Sequence, residues 1–203
     1  LRHKVSFSAN IAETSGGAVS VQNPVKGVWS QGTRFEANKA REGGAVYSRS
    51  DRVGQGSKWN SEGDVFHGNI AINGSGGALS VVSTVLKLDA ASSCTKNKAP
   101  NGGGGCIMWQ LSTQDAGASR YHEGNASNWT FFEPQMPDFD QQEKQGKNAN
   151  TAMFGTNRAT PPLSLHVDQT RAYRASVDAN ALKPKALDPR PEIRLVDFYG
   201  ATV

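Results

Sequence analysis

Phe35-Glu36-Ala37-Asn38-Lys39-Ala40, then Arg41-Glu42, then Gly43-Gly44-Ala45-Val46, is the stretch that decides the fold. Its skeleton is Phe-x-x-Asn-x-Ala, a short polar spacer, Gly-Gly, a small residue and an aliphatic one. The same skeleton precedes it as Phe7, Asn10, Ala12 and Gly16-Gly17-Ala18-Val19, and follows it as Phe66, Asn69, Ala71 and Gly76-Gly77-Ala78-Leu79. A fourth copy is altered: Cys94, Asn97, Ala99 and Gly104-Gly105-Cys106-Ile107. Successive Asn residues lie 28, 31 and 28 positions apart. A period in that range marks a solenoid, in which each repeat buries its inner face only by stacking on its neighbours.

The repeats are not helical, because they lack apolar residues at i, i+3, i+4 and i+7. Their apolar segments are short and strand-like: Ala18 to Val21, Ala45 to Tyr47, Ala78 to Val82. Gly pairs and polar corners interrupt them. Two or three short strands and their corners fill about 28 residues, one coil of a parallel β-helix with roughly 4.8 Å between coils. Gly-Gly then marks a turn that needs φ > 0. Phe at one point per coil predicts an interior ring stack. Asn at one point per coil predicts a ladder of amides through Asn10, Asn38, Asn69, Asn97 and Asn157. The plainer alternative is that Asn merely marks turns.

The paired hallmarks, Phe-x-x-Asn and Gly-Gly-Ala followed by Ile, Leu or Val, resemble the repeat of polymorphic outer-membrane proteins. Bacterial autotransporter passengers and secreted or surface proteins of algae carry that repeat. The resemblance covers roughly residues 5–165. It implies an extracellular, right-handed parallel β-helix of the pectin-lyase-like kind that serves adhesion or surface structure, and it implies no catalytic residues. The expected class is therefore all-β: a β-helix over 1–165 with a lateral insertion over about 110–152. A C-terminal β segment follows over 166–203, whose Glu192-Ile193-Arg194-Leu195-Val196-Asp197 resembles the lead-in to an immunoglobulin-like β-sandwich.

The chain has 203 residues, 22 Gly and a formal net charge of +4. Its Lys and Arg are scattered; Arg34, Lys39, Arg41, Arg49 and Arg52 sit among acidic and neutral residues. No basic block alternates with aromatics, so nucleic acid is not an expected partner. No apolar run reaches membrane-spanning length. The absence of a leader and of an initial Met suggests a processed protein or a portion of a longer one.

Cys94 replaces the repeat's Phe and Cys106 its Ala. Two apolar positions changed together in one coil suggest a disulfide and an oxidising compartment; two buried free thiols are the alternative. Sequons stand at Asn73-Gly74-Ser75, Asn125-Ala126-Ser127 and Asn128-Trp129-Thr130, so Asn73, Asn125 and Asn128 are glycosylation candidates.

After Ile107 the regularity breaks. Residues 110–152 read as a polar insertion, with a degenerate rung around Trp129-Thr130-Phe131-Phe132. Phe154, Asn157 and Ala159 then restore the motif 60 residues after Asn97. Pro161-Pro162 cannot donate to a ladder and should end the stack. Arg171 to Ala175 is a further strand-like piece.

β-Helices also host polysaccharide lyases and hydrolases, which need carboxylates clustered on one face. Asp51, Asp64 and Asp89 do not recur at one coil position. Asp138-x-Asp140 is a tight acidic pair, and it reads as a solvated loop. His3, His67, His122 and His166 lack metal-ligand spacing. Gly102 to Gly105 lacks the Lys-Ser/Thr of a phosphate loop. No enzyme, cofactor or metal site is expected. Trp29 and Trp59 fall at similar offsets after their Gly-Gly pairs, so they are candidates for sugar stacking on one face; core packing is the alternative. A β-helix end is an open row of backbone groups. The absence of a visible cap before Phe7 therefore predicts stacking of the N-terminal coil on another chain or domain of an extracellular assembly.

Overall fold

The computed structural model describes residues 4–24, 27–51, 57–111, 135, 149–160, 164–167 and 193–196. Coil 1 contributes β1 (Ser6–Ser8), β2 (Val19–Gln22) and β3 (Val28–Gln31). Coil 2 contributes β4 (Arg34–Glu36), β5 (Lys39–Ala40), β6 (Val46–Arg49) and β7 (Ser57–Glu62). Coil 3 contributes β8 (Val65–His67), β9 (Ile70–Ala71), β10 (Leu79–Val82) and β11 (Thr84–Leu88). Coil 4 contributes β12 (Ser93–Thr95), β13 (Lys98–Gly103) and β14 (Ile107–Gln110), and coil 5 adds β15 (Thr151–Phe154) and β16 (Arg158–Ala159). Corresponding strands pair in parallel, in the sheet orders β1-β4-β8-β12, β5-β9-β13-β15, β2-β6-β10-β14-β16 and β3-β7-β11. The described residues contain no helix. The fold is a parallel β-helix.

The register follows the repeat. Phe7, Phe35, Phe66 and Cys94 are successive partners in the first sheet. The rings of Phe7 and Phe35 stack at 5.4 Å and 8°, those of Phe35 and Phe66 at 4.9 Å and 2°. Stacked rings add about 0.5–1.5 kcal/mol each beyond the area they bury. Val19, Val46, Leu79 and Ile107 form a second inner column. Leu86, Leu88, Trp59 and Trp109 fill the space between, all buried.

The two glycines of each pair are required for different reasons. The first, at Gly16, Gly43, Gly76 and Gly104, has φ between 60° and 72°. A Cβ on Gly43 would also lie 2.3 Å from the Val46 carbonyl oxygen three residues on. The second faces the next coil: a Cβ on Gly44 would stand 2.2 Å from the Gly77 oxygen, and one on Gly77 2.2 Å from that of Gly105. The first glycine turns the chain and the second lets coils close on each other.

The fifth coil departs from the expected reading. Asn97 is followed in the column by Asn150, because Lys98 pairs with Thr151 and Ala99 with Ala152. The coil therefore resumes inside the span read as insertion, and Asn150-x-Ala152 is the true continuation. Phe154-Asn157-Ala159 is not a Phe-x-x-Asn corner: Ala159 pairs with Met108, and Asn157 takes the place of Cys106 after the turn. At the other boundary, Gln110 is still in the stack, paired with Val82. Gln135 bridges Lys87 and exchanges hydrogen bonds with Leu86 and Leu88, adding one point of a fourth coil to the β3-β7-β11 sheet. The rung expected at 129–132 and the strand expected at 171–175 lie outside the described residues. β17 (Ser164–Val167) pairs antiparallel with β18 (Ile193–Val196), apart from the parallel sheets.

Candidate functional site

The most ordered polar feature is the Asn column. Asn38, Asn69 and Asn97 are fully buried and Asn150 nearly so, whereas Asn10 at the end is exposed. Each Asn donates twice to the next Asn Oδ1, through its backbone N–H and its Nδ2. The distances are 3.0 and 2.8 Å for Asn10 to Asn38, 3.0 and 3.0 Å for Asn38 to Asn69, and 2.9 and 2.9 Å for Asn69 to Asn97. Asn97 donates the same pair to Asn150 at 2.9 and 3.0 Å. Each internal Nδ2 also reaches back to a backbone carbonyl: Asn38 to Phe7, Asn69 to Phe35, Asn97 to Phe66, Asn150 to Cys94. The ladder thus has a direction, donors pointing toward the C-terminal coils. The residue before each Asn adopts the left-handed conformation that aims the amide inward: Ala9, Ala37, Gly68 and Lys96, at φ 55°, 55°, 64° and 57°.

Asn157 joins this column by another route than expected. Its Oδ1 accepts from Asn150 Nδ2 at 2.9 Å within the same coil, and so terminates the ladder.

A second polar column went unread. Thr33, Asp64 and Ser92 each stand two residues before Phe35, Phe66 and Cys94. Thr33 N–H donates to Asp64 Oδ1 at 2.7 Å, and Asp64 N–H to Ser92 Oγ at 3.2 Å. The fully buried Asp64 carboxyl also accepts from the hydroxyls of Ser30 and Ser61. A small hydrogen-bonding residue at a constant offset before the Phe column is the signal that could have found it. Asp89 continues this network, accepting from Gly63 N–H and from both the N–H and Oγ of Ser92 at 2.8–2.9 Å. Burial pushes the Asp89 pKa up, but the hydrogen bonds from Gly63, Ser92 and Ala91 outweigh it and leave it lowered.

Cys94 and Cys106 are bonded, with Cα atoms 6.1 Å apart. The bridge lies inside the fourth coil, in the space that a Phe ring and an Ala methyl fill in the coil before. Asp51 lies on the surface; the Arg49 Nε hydrogen bond at 2.8 Å lowers its pKa, helped by Asn23. Asp51, Asp64 and Asp89 do not share one groove: one is in an exposed ion pair, one is fully enclosed, and one braces a corner. His67 Nδ1 faces Thr95 Oγ1 at 2.9 Å. Among the described residues no group of three or more His, Cys, Asp or Glu could hold a metal ion. The described residues, which contain no helix, include no helix long and apolar enough to cross a membrane. His3, His122, Asp138 and Asp140 lie outside the described residues.

The paired tryptophan platform is corrected. Trp29 is 48% exposed, but Trp59 is fully buried in the core. Val28, not Trp29, is the register partner of Trp59. Trp29 lies 12 residues after Gly17 and Trp59 15 after Gly44. The connection into β7 is four residues longer than that into β3, so a Trp only three residues later falls one strand position earlier and points to the opposite face. Of the sequons, Asn73 is exposed on a bend between β9 and β10; Asn125 and Asn128 lie outside the described residues.

No protein-family model, curated protein or solved structure matches the chain.

Proposed function

We propose that this chain is an extracellular structural or adhesive module, a rigid β-helical spacer or docking block akin to the repeats of polymorphic outer-membrane proteins. The observation that carries the reading is the unbroken Asn ladder beside the Phe stack, locked in coil 4 by the Cys94–Cys106 bond. Such a block resists bending because shear would break the same pair of hydrogen bonds at every coil. The disulfide suits an oxidising compartment, and the exposed Asn73 sequon suits a glycoprotein. The test is to recover the natively sourced protein, establish its compartment, and map thiols and glycans by mass spectrometry. The expected result is surface or secreted material, with both cysteines oxidised and Asn73 modified. Cytosolic material with free thiols would defeat the reading.

One observation favours a second reading, a carbohydrate-binding module. Trp29 presents its ring on the outer face of β3, in register with Asn60 and Lys87. A polysaccharide-retention assay should then lose binding in Trp29→Ala while melting stays unchanged. Retention equal to that of the unsubstituted protein excludes this second role.

A further inference from the structure

Both Asn-Gly dipeptides of the chain, Asn73-Gly74 and Asn101-Gly102, fall at the same corner of successive coils. Each Asn stands two residues after the inward Ala of its coil, Ala71 in coil 3 and Ala99 in coil 4. Lys98 pairs with Ile70 just before, and Asn101 Nδ2 donates to the Ile72 carbonyl at 2.9 Å, so one corner lies on the other. Coil stacking demands the two glycines. A Cβ on Gly74 would stand 2.7 Å from the Arg41 oxygen of coil 2, and one on Gly102 2.5 Å from the Gly74 oxygen. The fold therefore fixes a Gly after each Asn. That Gly has no side chain to shield its backbone nitrogen or restrict its approach to the preceding amide.

The two amides are held differently. Asn101 lies within β13, and its Nδ2 is tied to Ile72. Asn73 lies on the bend between β9 and β10. Its side chain has no hydrogen-bond partner among the described residues, and neither has the Gly74 N–H. The bonds that hold this corner, from the Ile72 N–H to Ala40 and from the Gly43 N–H to Ser75, pass on either side of them. Both Asn residues are exposed, so water reaches both and the difference lies in the tethering.

We propose that Asn73 is a self-modifying site and that Asn101 is its protected counterpart. The Gly74 nitrogen attacks Asn73 Cγ. A new bond from that nitrogen to Cγ forms as the Cγ–Nδ2 bond breaks, the Gly74 proton passes to the departing nitrogen, and ammonia leaves. Water, the only co-reactant, then opens the cyclic imide at either carbonyl and gives aspartate or isoaspartate. The product places a carboxylate at a corner that packs on Arg41, an exposed cation with no ion pair among the described residues. Isoaspartate also adds a methylene to the main chain beside Gly74, where coil 3 already fits closely on coil 2. Asn73 is the acceptor of a sequon as well, and a glycan on Nδ2 would occupy the leaving nitrogen. Glycosylation and self-conversion are thus alternative fates of one atom. That last link rests on the glycoprotein reading above; the conversion itself does not.

The experiment ages the unglycosylated, disulfide-bonded whole chain at neutral pH. Peptide mapping that separates Asn, imide, aspartate and isoaspartate follows both sites. Asn73 should convert faster than Asn101 by about tenfold or more, the factor that about 1.4 kcal/mol of local opening at Asn101 gives. In urea, where both pairs are released, the two rates should converge. Asn73→Gln should abolish conversion at that position and leave the Asn101 rate unchanged. Equal rates in the folded chain, or a faster Asn101, overturn the proposal. So does a folded Asn73 that stays intact while the urea-unfolded chain converts, since the bend would then hold it as firmly as the strand holds Asn101. A gap that persists in urea would assign the difference to flanking residues and overturn it too. Natively sourced protein without a glycan on Asn73 would defeat the glycoprotein reading and leave these rates untouched.

Discussion

Substituting Asn by Ala at the same motif position should cost very different amounts in different coils, because the ladder is directional and one end is wet. Asn69→Ala removes four hydrogen bonds: two received from Asn38, one given to Asn97 Oδ1 and one given to the Phe35 carbonyl. Asn38 N–H then points into a dry interior with no acceptor, at about 1–3 kcal/mol for such a group. The other lost bonds fall on atoms that keep a second partner and add about 1 kcal/mol or less each. The expected total is about 3–5 kcal/mol, near the upper range for a single substitution. Asn38→Ala removes four equivalent bonds, but two of their donors belong to the exposed Asn10 and turn to water. Its cost should be about 1–2 kcal/mol. Asn10→Ala leaves Asn38 Oδ1 with the Asn10 N–H and should cost less than about 1 kcal/mol. The assay is urea unfolding of the oxidised whole chain, followed by the fluorescence of the buried Trp59 and Trp109. Comparable midpoints for the Asn10 and Asn69 variants would refute the reasoning. They would mean that water fills the Asn69 vacancy or that the amides mark turns rather than carry the stack.

Three further outcomes are expected. Gly44→Ala should fold poorly or lose more than about 3 kcal/mol, since its Cβ would stand 2.2 Å from the Gly77 oxygen; Gly68→Ala, with nothing within 4 Å, should cost only the left-handed backbone penalty of about 1–2 kcal/mol. Comparing their thermal midpoints checks the two roles assigned to glycine. Reduction of Cys94–Cys106, which closes a separation of 12 residues, should lower stability by about 3 kcal/mol on the chain-entropy account, as read by melting with and without reductant. Asp89 has a folded pKa below its unfolded value, which is near 3.9. Its contribution is therefore full above the unfolded value and lost as pH falls through the lower folded one. Asp89→Asn should flatten that limb of the stability–pH curve, and an unchanged acid limb would show that Asp89 does not supply it.

The fold was legible because the repeat writes its columns directly. Phe, Asn and Gly-Gly recur at fixed intervals, and the parallel register aligns each with its counterpart. Cys94 and Cys106 were legible as substitutions within those columns. Less legible was any feature set by the length of a connection. Trp29 and Trp59 look equivalent in sequence, yet the connection in coil 2 is four residues longer while Trp59 comes only three residues later, which leaves it one strand position before that of Trp29 and turns it into the core. The Thr33–Asp64–Ser92 column was obscured by its variable chemistry: the Asp64 carboxyl and the Ser92 hydroxyl accept from the backbone N–H of the coil before, whereas Thr33 joins only through its own N–H.

The misreading of coil 5 has a physical cause that bears on how such a stack ends. Asn150-Thr151-Ala152 holds the column but lacks a preceding Phe that announces it, whereas Phe154-Gly155-Thr156-Asn157-Arg158-Ala159 spells the motif one corner too late. A motif selected for repetition is informative only where a coil has neighbours on both sides. The second glycine exists because the next coil's carbonyl oxygen lies against it, and the Asn amide stays inward because the next Asn accepts from it. In the last coil neither demand remains. Thr is tolerated at position 156, and an Asn at position 157 becomes useful because it accepts from the Asn150 Nδ2 that has no further Asn to reach. Departure from the motif at that end is thus what a terminated column requires.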